Sequence, residues 1–181
     1  MSIQVHDVKT DDYSLFYYGS YTISKIKSLF TYSIGAEFEA QKIVDGIYLG
    51  SINSVYDYEE MKKIGITHVI SVVAGFYPSD NNFNYLILNA LDTENTNLRE
   101  CFEKCNQYID EALENDNKVL IHCMAGRSRS VTILCAYIIK KFGMNVETAL
   151  KSIKNKRDII EPNQGFLKQL EQYYNYLYPS F

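Results

Sequence analysis

Lys118-Val119-Leu120-Ile121-His122-Cys123-Met124-Ala125-Gly126-Arg127-Ser128-Arg129-Ser130-Val131 is the stretch that decides how this chain folds. Its first five residues form an apolar run of strand length, and Val131 to Phe142 beyond it is apolar and long enough for a buried helix. A tight loop must therefore join the carboxyl end of a strand to a helix N-terminus. Backbone N–H groups wrapped in such a loop can face one centre, where the helix dipole also attracts an anion. Gly126 permits the left-handed turn that this wrapping requires. Cys123, at the start of the loop, lies in the same positive field, which favours the nucleophilic thiolate over the thiol. Six positions later Arg129 offers a planar fork for two oxygens of one phosphate, a geometry lysine does not reproduce. Ser130 could cap the helix, or could donate its hydroxyl to the sulfur and help it leave a thiophosphate intermediate.

Working outward, the pattern alternates. Ile47 to Leu49 reads as a short strand, Val55 to Lys63 as a helix, Thr67 to Val73 as a β-branched buried strand and Tyr85 to Asn89 as another. Gly75 and Pro78 to Asn82 mark a surface loop. Leu98, Cys101, Phe102, Cys105, Ile109, Ala112 and Leu113 recur at three- and four-residue steps, which predicts a helix from 98 to about 114, ended by Asn115-Asp116-Asn117. Val146 to Lys154 and Phe166 to Leu177 read as two further helices, separated by the Pro162-Asn163 break. The expected fold class is α/β, a central twisted, mainly parallel sheet flanked by helices on both faces, with the functional loop at a strand's carboxyl end. Residues 1–42 differ in character: Tyr13, Phe16, Tyr17, Tyr18, Tyr21, Phe30 and Tyr32 crowd together, and the stretch reads as an aromatic-rich N-terminal extension ahead of a domain covering 43–181. Packing of those aromatics on the main domain is expected in preference to a partner-binding motif.

Composition limits the classes of function. A length of 181 residues suits one domain with an appendage, and 46% hydrophobic against 22% charged residues supplies a core. A net charge of −4 gives no long-range attraction for nucleic acid or anionic lipid. No run approaches a membrane span, and neither a secretory nor a lipidation signal is present, so a soluble chain with no membrane anchor is expected. Four cysteines without a C-x-x-C pair fit a reducing compartment, cytoplasmic or nuclear. Cys101, Cys105 and Cys135 read as small core residues. Lys151, Lys154, Lys156 and Arg157 read as a solvated helix face in preference to a docking patch.

The His-Cys-x5-Arg-Ser run resembles the signature of protein tyrosine phosphatases, specifically the small dual-specificity branch. Its fixed positions arise by chance in a chain this long with a probability on the order of 10⁻⁵. The resemblance covers about residues 43 to 178: Gly46-Ile47-Tyr48-Leu49-Gly50-Ser51 is similar to that branch's opening strand, Gly65-Ile66-Thr67-His68-Val69-Ile70 to its next, and Glu161-Pro162-Asn163-Gln164-Gly165-Phe166 to its late helix entry.

The resemblance implies hydrolysis of phosphotyrosine and phosphoserine or phosphothreonine on proteins through a phosphocysteine. Phosphoinositides, RNA 5′-phosphates, glucans and a phosphate-binding pseudophosphatase are the alternatives. Cys123 is then the nucleophile, with Met124, Ala125, Gly126, Arg127, Ser128 and Arg129 presenting N–H groups to the phosphate. Asp92, in Ala90-Leu91-Asp92-Thr93-Glu94 after a predicted strand, is the expected general acid ahead of Glu94, because a departing oxygen must be protonated. Asn97 is placed to cap the helix near Leu98. His122 is expected to hold the loop by hydrogen bonding and favour the thiolate, and Asn163 either to brace the loop or to cap a helix. No metal or other cofactor is implied, and His6, His68 and His122 show no metal-ligand spacing. The partner is a phosphorylated protein substrate; oligomeric state is not readable.

Overall fold

The computed structural model describes residues 3–8, 38–76, 78 and 82–179. In chain order these form β1 (Val5–Val8), β2 (Ala40–Val44), β3 (Ile47–Gly50), α1 (Ile52–Tyr56), α2 (Tyr58–Ile64), β4 (Ile66–Val72), β5 (Asn84–Leu88), a 3₁₀ turn (Arg99–Cys101), α3 (Phe102–Glu114), β6 (Lys118–His122), α4 (Arg129–Phe142), α5 (Val146–Lys154) and α6 (Gln164–Leu177). The strands make one sheet in the order β1-β5-β4-β6-β3-β2. Its four inner strands run parallel, while β1 and β2 close the two edges antiparallel.

The strand that leads into Cys123 sits in the middle of this sheet. In β6, Val119, Leu120 and Ile121 point alternately to opposite faces and all three are fully buried, so both faces are covered. The crossover from β3 to β4 and that from β5 to β6 travel in opposite directions across the sheet. Sharing one right-handed sense, they set α1 and α2 on one face and α3 on the other. Helix α4 packs against α3, α5 and α6 and against β6. Apolar nearly all round, it is an interior helix, with Val131, Ile133, Leu134, Ala136, Ile138 and Ile139 buried. Each buried valine, leucine or isoleucine among them contributes about 1.5–3 kcal/mol by leaving water. No helix of the described residues is long and apolar enough to cross a membrane.

The expected mainly parallel sheet with helices on both faces is therefore present, with some local differences. The helix read across Val55 to Lys63 is two. Ser51 caps α1 through Asn53 N–H, and Asp57 ends it and starts α2 by accepting from Glu60 N–H at 3.1 Å. Asn97 does not cap the helix after it: the N-cap position of the 3₁₀ turn is Leu98, with no side-chain cap. The basic run on and after α5 is not wholly solvated, since Arg157 is buried. Strands β1 and β2, not foreseen, both come from residues 1–44, and β2 crosses the expected boundary at 42. The aromatic cluster from Tyr13 to Tyr32 lies outside the described residues, as do most of Pro78 to Asn82.

Candidate active site

Three segments meet at the carboxyl end of β6. The first is the loop from Cys123 to Ser128. Gly126 has φ +65°, in the left-handed region, and a Cβ there would lie 2.6 Å from both the Gly50 carbonyl oxygen and Arg157 Nη2. Only glycine lets the loop turn back against β3 at this point. Ile52 N–H donates to the Met124 carbonyl at 3.1 Å, anchoring the loop to the start of α1.

Cys123 is buried at the centre of this turn. Its Sγ accepts from the Ser130 hydroxyl at 3.1 Å. Burial alone would push the thiol's pKa up. The Ser130 hydroxyl and N–H, the charge of Arg129 and the Arg127 N–H outweigh it, so the pKa lies below the ordinary cysteine value. Ser130 thus faces the sulfur from inside α4 and does not cap that helix. His122 Nδ1 lies 3.4 Å from the Cys123 carbonyl, and Phe76 packs edge-on against its ring. Burial lowers the His122 pKa to about 4, so the imidazole is neutral near pH 7 and contributes no positive charge to the thiolate.

The second segment carries Asp92. Its Oδ1 accepts from Ser128 Oγ at 2.8 Å and from the Asn163 side-chain amide at 2.9 Å, and its Oδ2 lies 3.4 Å from Arg129 Nε. Glu94, the other carboxylate considered, is exposed. Arg129 is 8% exposed and donates from Nη1 to the Ala90 carbonyl at 3.0 Å, so its guanidinium joins the loop of Asp92 to the loop of Cys123. Its Nε approaches Asp92 without hydrogen-bond alignment and has no acceptor among the described residues. A buried donor left in that condition is one that an incoming phosphate oxygen satisfies.

The third segment runs from Arg157 to the start of α6. Asn163 does both things expected of it. Its Oδ1 caps α6 through Phe166 N–H at 3.0 Å, while its backbone N–H reaches Ser128 Oγ at 3.3 Å and its amide reaches Asp92. Arg127 turns its side chain outward, donating to the Ile159 carbonyl at 3.2 Å and pairing with Glu161. Only its backbone N–H acts on Cys123. Met124 is half exposed beside Cys123 and Ala125 is exposed next to it.

Two supporting residues were not foreseen as such: Arg157 reads from the sequence as part of a solvated basic run, and Gln169 is not singled out at all. Arg157 donates from Nε to the Gly126 carbonyl at 2.8 Å and from Nη2 to the Ala125 carbonyl at 3.2 Å, fixing two consecutive loop carbonyls from the side of the loop on which it lies. Gln169 accepts from Arg99 N–H at 3.0 Å and donates to the Thr96 carbonyl at 2.8 Å, holding the end of the Asp92 segment to α6. Neither has a local signal: their partners lie 31 and about 70 residues away.

A thiol of lowered pKa with hydroxyl and backbone N–H donors aimed at it, an arginine fork beside it and a carboxylate over the same loop are the kinds of group that a phosphate-ester hydrolase with a covalent intermediate needs. Comparison with known proteins agrees. Residues 47–176 match the dual specificity phosphatase catalytic domain. This chain belongs to the dual-specificity phosphatase family. It is 40% identical over 130 residues to dual specificity protein phosphatase 1 of Arabidopsis thaliana, covering 71% of this chain and 66% of that one. Dual specificity protein phosphatase 1B of the same plant is 36% identical over 75% of this chain and 81% of its own. The chain thus spans about two thirds of the first relative and four fifths of the second. The crystal structure of the human tyrosine phosphatase-like serine/threonine/tyrosine-interacting protein superposes with a TM-score of 0.75 at 34% identity, covering 80% of this chain and 100% of that one.

Proposed function

We propose that this chain hydrolyses phosphotyrosine and phosphoserine or phosphothreonine monoesters on proteins, with Cys123 as nucleophile and Asp92 as general acid and base. The Sγ lone pair forms the S–P bond as the bond from phosphorus to the ester oxygen breaks, and Asp92 delivers a proton to that oxygen. In the second step Asp92 takes a proton from water as the water oxygen attacks phosphorus. The S–P bond then breaks, its electron pair returning to sulfur, where the Ser130 hydroxyl stabilises the thiolate. The equatorial oxygens are met by the N–H groups of Met124 to Arg129 and by the Arg129 fork, already in place before charge develops. No step calls for a metal or an organic cofactor.

The observation that carries this reading is the Ser130 hydroxyl on Cys123 Sγ, with Asp92 tied to the same loop through Ser128. A phosphoprotein is favoured over a phosphoinositide because the loop offers no spare cation: Met124 and Ala125 are neutral and the Arg127 guanidinium is engaged by Glu161. Four cysteines without a disulfide fit a reducing compartment, cytoplasmic or nuclear.

The native chain is expected to hydrolyse p-nitrophenyl phosphate in a vanadate-sensitive manner and to release phosphate from a doubly phosphorylated Thr/Tyr peptide faster than from phosphoinositide headgroups. Absence of vanadate-sensitive turnover at every pH refutes the catalytic assignment, and faster headgroup hydrolysis refutes the substrate class.

A further inference from the structure

Arg157 presents an accounting problem. Its side chain is only 2% exposed, yet it carries a full charge, and two loop carbonyls do not neutralise it. The countercharge comes from the far end of the sequence. Glu39 Oε1 accepts from Arg157 Nη2 at 2.8 Å, and Gln41 Oε1 accepts from Nη1. Glu39 is also joined to the other anchor of the loop: its Oε2 accepts from the hydroxyl of Ser51, which caps α1, and Ile52 beside it holds the Met124 carbonyl. One carboxylate is thus bonded to both supports of the loop, Arg157 behind Ala125 and Gly126, and the start of α1 behind Met124.

We infer that Glu39 and Gln41 are positioning residues of the phosphate loop, acting through Arg157, and that the catalytic unit therefore begins ahead of the family-matched segment 47–176. The inference rests on the reading of this loop as the phosphate site. Without Glu39 the buried guanidinium has a single neutral side-chain partner. It shifts toward water, the carbonyls of Ala125 and Gly126 lose their donors, and the N–H groups on the opposite side of those peptides no longer converge. Gly126 magnifies the effect, because its turn is wedged between Arg157 Nη2 and the Gly50 carbonyl, each 2.6 Å from where a Cβ would stand. Neither Glu39 nor Gln41 touches the phosphate itself.

The test uses the full chain and two readouts that a loss of stability alone does not move. Tungstate affinity is measured by calorimetry on folded native, E39Q, E39D and Q41A proteins, and the acid limb of kcat/KM for p-nitrophenyl phosphate is followed against pH. E39Q should weaken tungstate roughly tenfold and move the acid limb to higher pH. E39D, which keeps the charge, should lie between E39Q and native, and Q41A should show a smaller change in the same direction. Native-like tungstate affinity and an unmoved limb in folded E39Q overturn the inference while leaving the phosphatase reading intact. Weakened tungstate binding in E39Q beside a native chain that hydrolyses nothing supports the loop-positioning role and removes the phosphatase reading.

Discussion

Cys123, just ahead of a helix, and Cys105, within one, are both buried free thiols, and their pKa values are shifted in opposite directions. Cys105 faces the core from the apolar stripe of α3, where burial raises its pKa well above the ordinary value. Burial does the same to Cys101, pushed up to about 11, and to Cys135 inside α4. Cys123 bears the same penalty, but the donors of Ser130 and Arg127 and the charge of Arg129 more than repay it. A thiol becomes reactive here through the donors aimed at it, and position in the sequence decides which cysteine receives them. Cys123 alone follows β6 directly into a turn at a helix N-terminus.

The largest expected effect sharpens that comparison. Cys123→Ser should lower turnover by a factor on the order of 10⁴ or more, while Cys105→Ala leaves kcat within about twofold, because Cys105 supports packing and nothing else. Iodoacetamide gives the same contrast without mutation. Since the Cys123 pKa is lowered, its thiolate persists as pH falls below the ordinary cysteine range, whereas the other three remain protonated well above neutrality. Mass spectrometry after brief labelling near pH 6.5 should find the adduct on Cys123. Labelling of Cys101 or Cys105 first would show that burial, and not the donor cradle, decides reactivity.

The contrast explains what the sequence could disclose. Everything in the cradle follows from residues 118 to 131, because a loop that binds an anion with its own backbone needs contiguous residues, and contiguity is visible in one line of text. Asp92 was legible for a weaker reason: it follows a strand, and loops after parallel strands gather at one end of the sheet. Arg157 was not legible. Placed in a basic run beside Lys154 and Lys156, it looks like a solvated cation, and only the fold brings Glu39, 118 residues away, against it. Edge strands β1 and β2 were missed similarly, since four or five residues of mixed character carry little periodic signal. The split of α1 from α2 at Asp57 was missed because its cap lies inside what reads as a continuous helical pattern.

A second comparison, between the loop of Cys123 and the segment of Asp92, separates binding from protonation. Asp92→Asn keeps the shape and the hydrogen bond from Ser128 but removes the proton donor. Hydrolysis of an alkyl phosphate should fall by roughly 10²–10⁴-fold, while a dinitrophenyl phosphate, whose leaving oxygen needs no proton, should lose far less in the burst of phenol release. Tungstate affinity should change little. Equal losses on both esters would mean that Asp92 serves the geometry of Arg129 and Ser128 and not proton transfer.

The smallest expected effect concerns how the Asp92 segment is held. The loop of Cys123 is fixed by β3, α1 and Arg157 and touches α6 only at its head, where Asn163 N–H reaches Ser128 Oγ, whereas the Asp92 segment leans on the body of α6. Gly165 lies so near it that a Cβ would come 2.1 Å from the Glu94 carbonyl oxygen, and Gln169 closes the far end by pairing with Thr96 and Arg99. Gln169→Ala leaves that carbonyl and that N–H to water, at a cost of about 1 kcal/mol per lost bond. Asp92 keeps its bonds to Ser128 and Asn163. The variant should therefore lose activity about three- to tenfold, on esters with poor leaving groups only, with anion affinity and the Cys123 labelling profile unchanged. A uniform loss across leaving groups would show that α6 supports the phosphate loop as much as the carboxylate, and that the two regions are not separately held.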